Sequence, residues 1–309
     1  MASGMIFWGN RMQQNLSMDV HSTANRYLDH IDQAAEFLRR QSDRVPTVAI
    51  ILGSGLGGLA EKIQHPVVIP FPDIPGFAAS TASGHRGQLI LGELEQTRVV
   101  AMAGRFHRYE GWSRAEVSFP VFVMARLGAT QLVVSNAAGG VNPKLNVGDI
   151  VVIRDHIDFM RGEFQPPNLT PQGSGLPEGT FGFSPLRHRD VYDPELSSIA
   201  MQASREHNFA AYEGTYLATL GPNYETRAEY RMMRRIGADV AGMSTVPEVL
   251  AAANLGMRTL GLSMVSNVAN PDSAVVASHD EVLAAGLAAE GKMEAIVRAV
   301  LRKTSSHSK

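Results

Sequence analysis

The stretch 47-TVAIILGSGLGG-58 decides how this chain folds. Residues 47–52 form an unbroken apolar run, the composition of a strand buried on both faces. Residues 53–58 place glycine at 53, 55 and 58, matching G-x-G-x-x-G. Such a turn brings backbone N–H groups up to an anion. A dinucleotide site would need more: a full crossover helix, then a second strand ending in an acidic residue about 20 positions on. Only Leu59 to Gln64 are available for helix before the break at His65-Pro66, and Asp73 lies in the Pro-rich 70-PFPDIPGF-77 instead of at a strand end. The reading as an NAD-dependent dehydrogenase is therefore weak. What survives is a turn whose N–H groups, together with the Ser54 hydroxyl, suit a single phosphate.

Outward from this stretch, apolar runs predict strands at 67–71, 88–94, 97–103, 131–136, 149–153, 213–219, 239–242 and 258–265, besides 47–52. Helical spacing predicts helices at 22–40, 113–127, 195–207, 226–237, 246–255 and 279–302. In the first of these, Ala24, Leu28, Ile31, Ala35 and Leu38 recur on one face. Alternating strands and helices predict an α/β fold around a largely parallel or mixed sheet. There is no internal repeat and no linker, so residues 22–303 are expected to form one domain. Residues 1–21 read as a flexible lead-in and 304–309 as a disordered tail. The segment 160–190, rich in Pro and Gly, has no clean period; a loop of that length is usually functional or disordered.

Composition narrows the chemistry. The 309 residues are 44% hydrophobic and 19% charged, as a packed soluble core requires, and carry a formal net charge of -2. That balance argues against a nucleic-acid-coating surface but not against a local anion pocket. With no cysteine, a disulfide framework, a thiolate nucleophile and a Cys-based metal site are excluded. No apolar run reaches the length of a membrane span, and the N-terminus lacks a signal-peptide pattern. A cytoplasmic protein without membrane or nucleic-acid partners is expected.

Three stretches put polar chemistry at strand ends. In 84-GHRG-87 and 104-GRFHRYEGW-112, His85, Arg105 and His107 form a cationic cluster, with Arg105 and His107 on one face of an extended chain. Arginine offers a planar fork to phosphate oxygens, and histidine a hydrogen bond or a proton. A solvated basic loop is the bland alternative. No histidine spacing fits a metal site. In 131-QLVVSNAAGG-140 the strand is expected to end at Asn136. The small residues after it would let a planar ligand approach the backbone, or simply make a tight turn.

Three helix starts carry polar groups. Thr226 and Glu229 read as a capping box, with Tyr224 and Glu225 just before the helix. Thr245 and Glu248 repeat the pattern, which places Ser244 at a helix start where an anion is favoured. Ser278 and Glu281 form a third box with His279 in the first turn, where the helix dipole favours a neutral imidazole. Finally, the apolar run 260-LGLSMVSN-267 ends in Asn267, and ligands of α/β sheets bind at the carboxyl ends of strands.

Taken together, GSGLGG, GHRG, GRFHRYEG, SNAAGG, GPNYETRAE, GMSTVPE and Ser266-Asn267 occur in the order and spacing of trimeric purine nucleoside phosphorylases, which this chain resembles over residues 22–302. The resemblance implies one α/β domain around a twisted, partly barrel-like mixed sheet, assembled as a homotrimer. It implies phosphorolysis of purine nucleosides in purine salvage, with inorganic phosphate as co-substrate and no cofactor. Carried over by position, Ser54, His85, Arg105, His107, the backbone of Ala137 and Ser244 would bind phosphate. Tyr109, Met243 and His279 would hold the ribose, with Phe181 lent to a neighbouring subunit. Ala138, Gly139, Tyr224, Glu225, Gly242 and Asn267 would meet the base. Asn267, Glu225 and His107 would carry the catalytic roles. Tyr224 stands where phenylalanine is common, Ser266 where threonine is common, and 268-VAN-270 replaces a Lys-Val pair, a change beside His279 that bears on ribose preference.

An ionised Glu225 accepts hydrogen bonds only, so it fits purines with N1–H, such as hypoxanthine and guanine. Asn267 can donate to purine N7. Related methylthioadenosine phosphorylases generally carry aspartate at that position and are the main alternative. A nucleoside-binding protein without turnover should have lost part of the phosphate set, and none of it is missing.

Overall fold

The structure, a computed structural model, describes residues 26–53, 56–78, 86–160, 190–269 and 279–307, without the side chains of 279–283 and 307. The buried strand read from 47–52 is β1 (Val48–Leu52). It lies between β4 (Thr97–Ala103) and β5 (Gln131–Gly140) and is parallel to both. β3 (Gln88–Leu94) and β2 (Gln64–Pro70) extend this half by antiparallel pairing. On the other side of β5 come β8 (Val240–Gly242), β7 (Ala211–Ala218), β6 (Ile150–Asp158) and β9 (Arg258–Val268), giving the order β2-β3-β4-β1-β5-β8-β7-β6-β9. A further pairing of β9 with β5 closes the last five strands into a ring. The sheet is thus open at β2 and closed beyond β5, the mixed, partly barrel-like form expected.

β5 carries this change of architecture. Its first part, Gln131–Val134, pairs with β1, and its last two residues, Gly139 and Gly140, pair with β8. β9 accompanies it throughout. Among the described strands, residues 135–138 therefore have a neighbour on the β9 side alone. That gap is a topological switch point, where strand order leaves a crevice.

Side-chain alternation along β1 feeds two cores. Ala49 and Ile51 face a cluster built with the helix over 26–41 (α1), α2 (Arg114–Leu127) and α5 (Val246–Asn254). Val48, Ile50 and Leu52 face a second cluster with α3 (Pro194–Glu206) and α6 (His279–His307). Each fully buried aliphatic side chain contributes roughly 1.5–3 kcal/mol. α6 also reaches back to the glycine turn: Glu290 accepts from the Gly58 N–H at 2.5 Å, and Lys62 pairs with Glu294.

The differences from the sequence expectation have physical reasons. No crossover helix follows β1, only a 3₁₀ turn over Gly57–Lys62, in line with the rejected dinucleotide unit. β5 does not end at Asn136 but continues through the small residues to Gly140, because β9 and β8 supply partners there. β6 runs on through polar Arg154–Asp158 after a register shift between Ile153 and Asp155. At the C-terminus, 304–307 continue α6 where a disordered tail was expected; Thr304 and Ser306 hydroxyls bond back to carbonyls of the preceding turn. Among the described residues, no helix is long and apolar enough to cross a membrane.

Candidate active site

The gap in β5 opens into a solvent-accessible cleft. It is lined by the ends of β1, β4, β5, β8 and β9 and by the segments that lead into α4 (Arg227–Arg235) and α5. Arg105, His107, Ala137 and Ser244, expected at phosphate, lie on its walls. So do Tyr109 and Met243, expected at ribose. Ala138, Gly139, Tyr224, Glu225, Gly242 and Asn267, expected at the base, complete it. Ser54, His85 and Phe181 lie outside the described residues. His279 lies in α6, but its side chain lies outside them too. Among the described residues, no group of three or more His, Cys, Asp or Glu gathers as a metal site.

Arg105 organises the deep end. It follows β4 through Gly104, whose φ of 119° is one that glycine adopts readily. Its guanidinium is 2% exposed. Nη1 donates to the hydroxyls of Ser244 and Thr245, each at 2.9 Å, and Nη2 to the Ser135 carbonyl. Thr245 also accepts from Asn136 Nδ2 at 2.9 Å. Gly53 closes the same corner: its N–H donates to Ser135 Oγ at 3.0 Å, and a Cβ there would collide with the Ser135 carbonyl. A buried, always-charged fork, surrounded by hydroxyls that can rotate, is a preformed seat for an anion.

The second expected capping box is absent. Thr245 adopts φ 74° and ψ -49°, and its side chain makes no cap bond. Its hydroxyl is turned towards Arg105 and Asn136 instead. A threonine in the left-handed region costs of order 1–3 kcal/mol, held by the surrounding contacts. Glu248, the other half of that expected box, is buried, with Oε1 3.7 Å from Arg105 Nη1. Neither of its carboxylate oxygens makes a hydrogen bond. Burial pushes this carboxyl above the ordinary glutamate range, with Arg105 pulling the other way. It is a counter-charge beneath the arginine, not a helix cap.

His107 is held from behind. Glu110 accepts from both its backbone N–H and its Nδ1, each at 2.9 Å. That fixes the ring and favours a proton on Nδ1. Tyr109 stacks on the same imidazole with centroids 4.7 Å apart. Burial, and then Glu110, raise the Tyr109 phenol, so it stays protonated.

The base end is built differently. The Thr226 capping box is present, with its hydroxyl accepting from Glu229 N–H and Glu229 accepting from Thr226 N–H. It fixes the start of α4 and so the preceding Tyr224 and Glu225. Glu225 accepts from the Thr219 hydroxyl at 3.0 Å. Across the cleft, the Ser266 hydroxyl lies 2.8 Å from Asn267 Oδ1, an acceptor position that leaves both amide protons to donate elsewhere. A Cβ at Gly242 would collide with the Tyr216 hydroxyl, so only glycine lets that wall close.

Sequence reasoning left some contributors out of the site. Gly53, Asn136 and Ser266 line the cleft within motifs already singled out. Their signal was adjacency to named residues. Tyr230 lines it from the first turns of α4, and nothing local marked it.

The family described as Phosphorylase superfamily matches residues 47–302. The chain is 46% identical over 256 residues to purine nucleoside phosphorylase 1 of Bacillus subtilis (strain 168), covering 82% of this chain and 91% of that one. A solved structure of schistosoma purine nucleoside phosphorylase in complex with hypoxanthine is 36% identical, with a TM-score of 0.80 over 89% of this chain and 97% of the other. The Schistosoma mansoni enzyme in complex with adenosine is 37% identical, with a TM-score of 0.80 and the same coverage of 89% and 97%. The chain belongs to the phosphorylase superfamily and, within it, to the purine nucleoside phosphorylases.

Proposed function

We propose that the chain catalyses the phosphorolysis of 6-oxopurine nucleosides, inosine and guanosine and their 2′-deoxy forms, to free base and (deoxy)ribose 1-phosphate in purine salvage. The observation that carries this reading is a single cleft lined both by an anion seat around Arg105 and by a carboxylate and a carboxamide, Glu225 and Asn267. Breaking a purine N-glycosidic bond develops positive charge on the sugar and negative charge on the departing base. A phosphate held by Arg105, Ser244 and His107, with Ser54, His85 and the Ala137 backbone completing its shell, offsets the first charge and captures the anomeric carbon. Asn267, donating at N7, offsets the second. A donor of this kind is typically worth about 3 kcal/mol of barrier. Tyr109, Met243 and His279 hold the sugar, with Phe181 supplied by a neighbouring subunit. Ala138, Gly139, Tyr224 and Gly242 form the walls against the base.

Glu225 supports the 6-oxopurine preference, because an ionised carboxylate accepts from N1–H and repels the N1 lone pair of adenine. A similar structure holds adenosine, so the preference is scored by turnover and not by occupancy. Phosphate is a co-substrate, and no cofactor takes part. The same reading includes a homotrimer in the cytoplasm. Exposed apolar side chains on elements flanking the cleft support assembly: Phe159 beyond β6, Leu220 beyond β7, and Met232 and Ile236 on and after α4. Sedimentation at three times the chain mass is the expected result. The decisive experiment is release of hypoxanthine from inosine with and without phosphate. Release is expected only with phosphate, and equal release without it would mean a hydrolase.

A further inference from the structure

The carboxylate that reads the base is itself flanked by two side-chain hydroxyls. Thr219, just past the end of β7, is anchored by its N–H on the Gly242 carbonyl at 2.9 Å. From there its hydroxyl donates to Glu225 Oε1 at 3.0 Å. Tyr230 comes from the first turns of α4. Its N–H closes the first turn of α4 on the Thr226 carbonyl at 3.0 Å, and its ring packs on a small core that includes Leu217 and Met233. Its phenol lines the cleft beside the same Glu225 side chain. Burial first, and then Glu225, raise that phenol well above its ordinary value, so it keeps its proton and must donate. Both hydroxyls are therefore neutral donors beside the carboxylate.

We infer that Thr219 and Tyr230 are positioning residues that set base specificity by keeping Glu225 turned towards the purine. The inference rests on the base-reading role proposed for Glu225. A carboxylate offers about four acceptor positions, and two donors from the protein leave the others for N1–H and, in guanine, the exocyclic amine. Without these donors the carboxylate is free to turn away from N1–H, the contact that favours 6-oxopurines. Removing the two donors thus weakens selection in a defined direction.

The test measures kcat and KM for inosine, adenosine and phosphate in Thr219→Val, Tyr230→Phe and the double variant. Phenylalanine keeps the ring of Tyr230 in its packing, and valine keeps the shape of threonine. Each single variant should lower the inosine-to-adenosine ratio of kcat/KM, and the double variant should lower it by about tenfold, the scale of a lost charge-assisted hydrogen bond. The loss should lie mainly in nucleoside KM, with phosphate KM unchanged. Thr219→Ser should restore the ratio, since it returns the hydroxyl. An unchanged ratio in the double variant, while Glu225→Ala lowers inosine kcat/KM by about a hundredfold, overturns this inference alone. Normal inosine turnover in Glu225→Ala overturns it together with the base reading beneath it. A rise in phosphate KM equal to that in nucleoside KM would mean a merely structural role and overturns it as well.

Discussion

The two ends of the cleft are made of the same kinds of residue and are held in opposite ways. At the anion end, Arg105, Ser244, Thr245 and Glu248 are all buried, and the hydroxyls and carbonyl around the guanidinium are already bonded to it. At the base end, Glu225 is half-buried and Tyr224 is 48% exposed, and both rest on a helix start and on side-chain hydroxyls. The first end is part of the core, so its chemistry and its stability cannot be separated. The second is mounted on the rim, where residues can change what is recognised with little effect on folding.

Breaking the comparison should be easiest at Arg105. Arg105→Met removes an anion donor and leaves Glu248 buried without its counter-charge. We expect turnover to fall by about a thousandfold and stability by roughly 3–5 kcal/mol. Kinetics with inosine and chemical denaturation check the two losses together; a loss of activity at unchanged stability would mean that the anion end is not integrated with the core. Glu225→Ala should behave in the opposite manner. Inosine kcat/KM is expected to fall about a hundredfold, as for a lost hydrogen bond to a charged group. Unfolding free energy should stay within about 1 kcal/mol, as for a rim position. A large drop in stability there would erase the distinction.

The smallest effect sharpens the balance at Glu248. Its carboxyl is raised in the folded protein because desolvation outweighs the attraction of Arg105. For such a group, the stabilisation is complete below the ordinary glutamate value of 4.5 and is lost as pH rises through the raised folded value. Glu248→Gln is neutral throughout and lacks that loss. The stability of the variant relative to the parent should therefore shift in favour of glutamine as pH rises from 4.5, followed by thermal melts across the range. A shift in favour of glutamate would show that the ion pair with Arg105 outweighs its desolvation.

Much of the site was legible because its residues stand at ends of elements. Asn267 closes an apolar run, Arg105 and His107 follow another, and Glu225 precedes a capping box that exists. Sequence patterns mark such boundaries well, since chemistry and termination share the same residues. Glu248 was misread because T-x-x-E has the same spelling whether its carboxylate caps a helix or turns inward to a distant arginine. Thr245 hid its left-handed backbone for the same reason: the contacts that hold it come from Arg105 and Asn136, far away in the chain. The strands were found nearly throughout, yet the last part of β5 read as a turn, because small residues show no hydrophobic period. The pairing of β5 with β9 that closes the ring is written in no local pattern at all.

That ring has a mechanical consequence. Proteins that bind ligands between two domains open by swinging one body away from the other. Here β7 and β8, which carry much of the base end, are tied back through β6 and β9 to β5, which borders the anion end. Separating the two walls would require unzipping a closed ladder, so the frame has no hinge. Nucleoside and phosphate must enter a socket of fixed width, and any gating falls to the side chains and loops at its mouth.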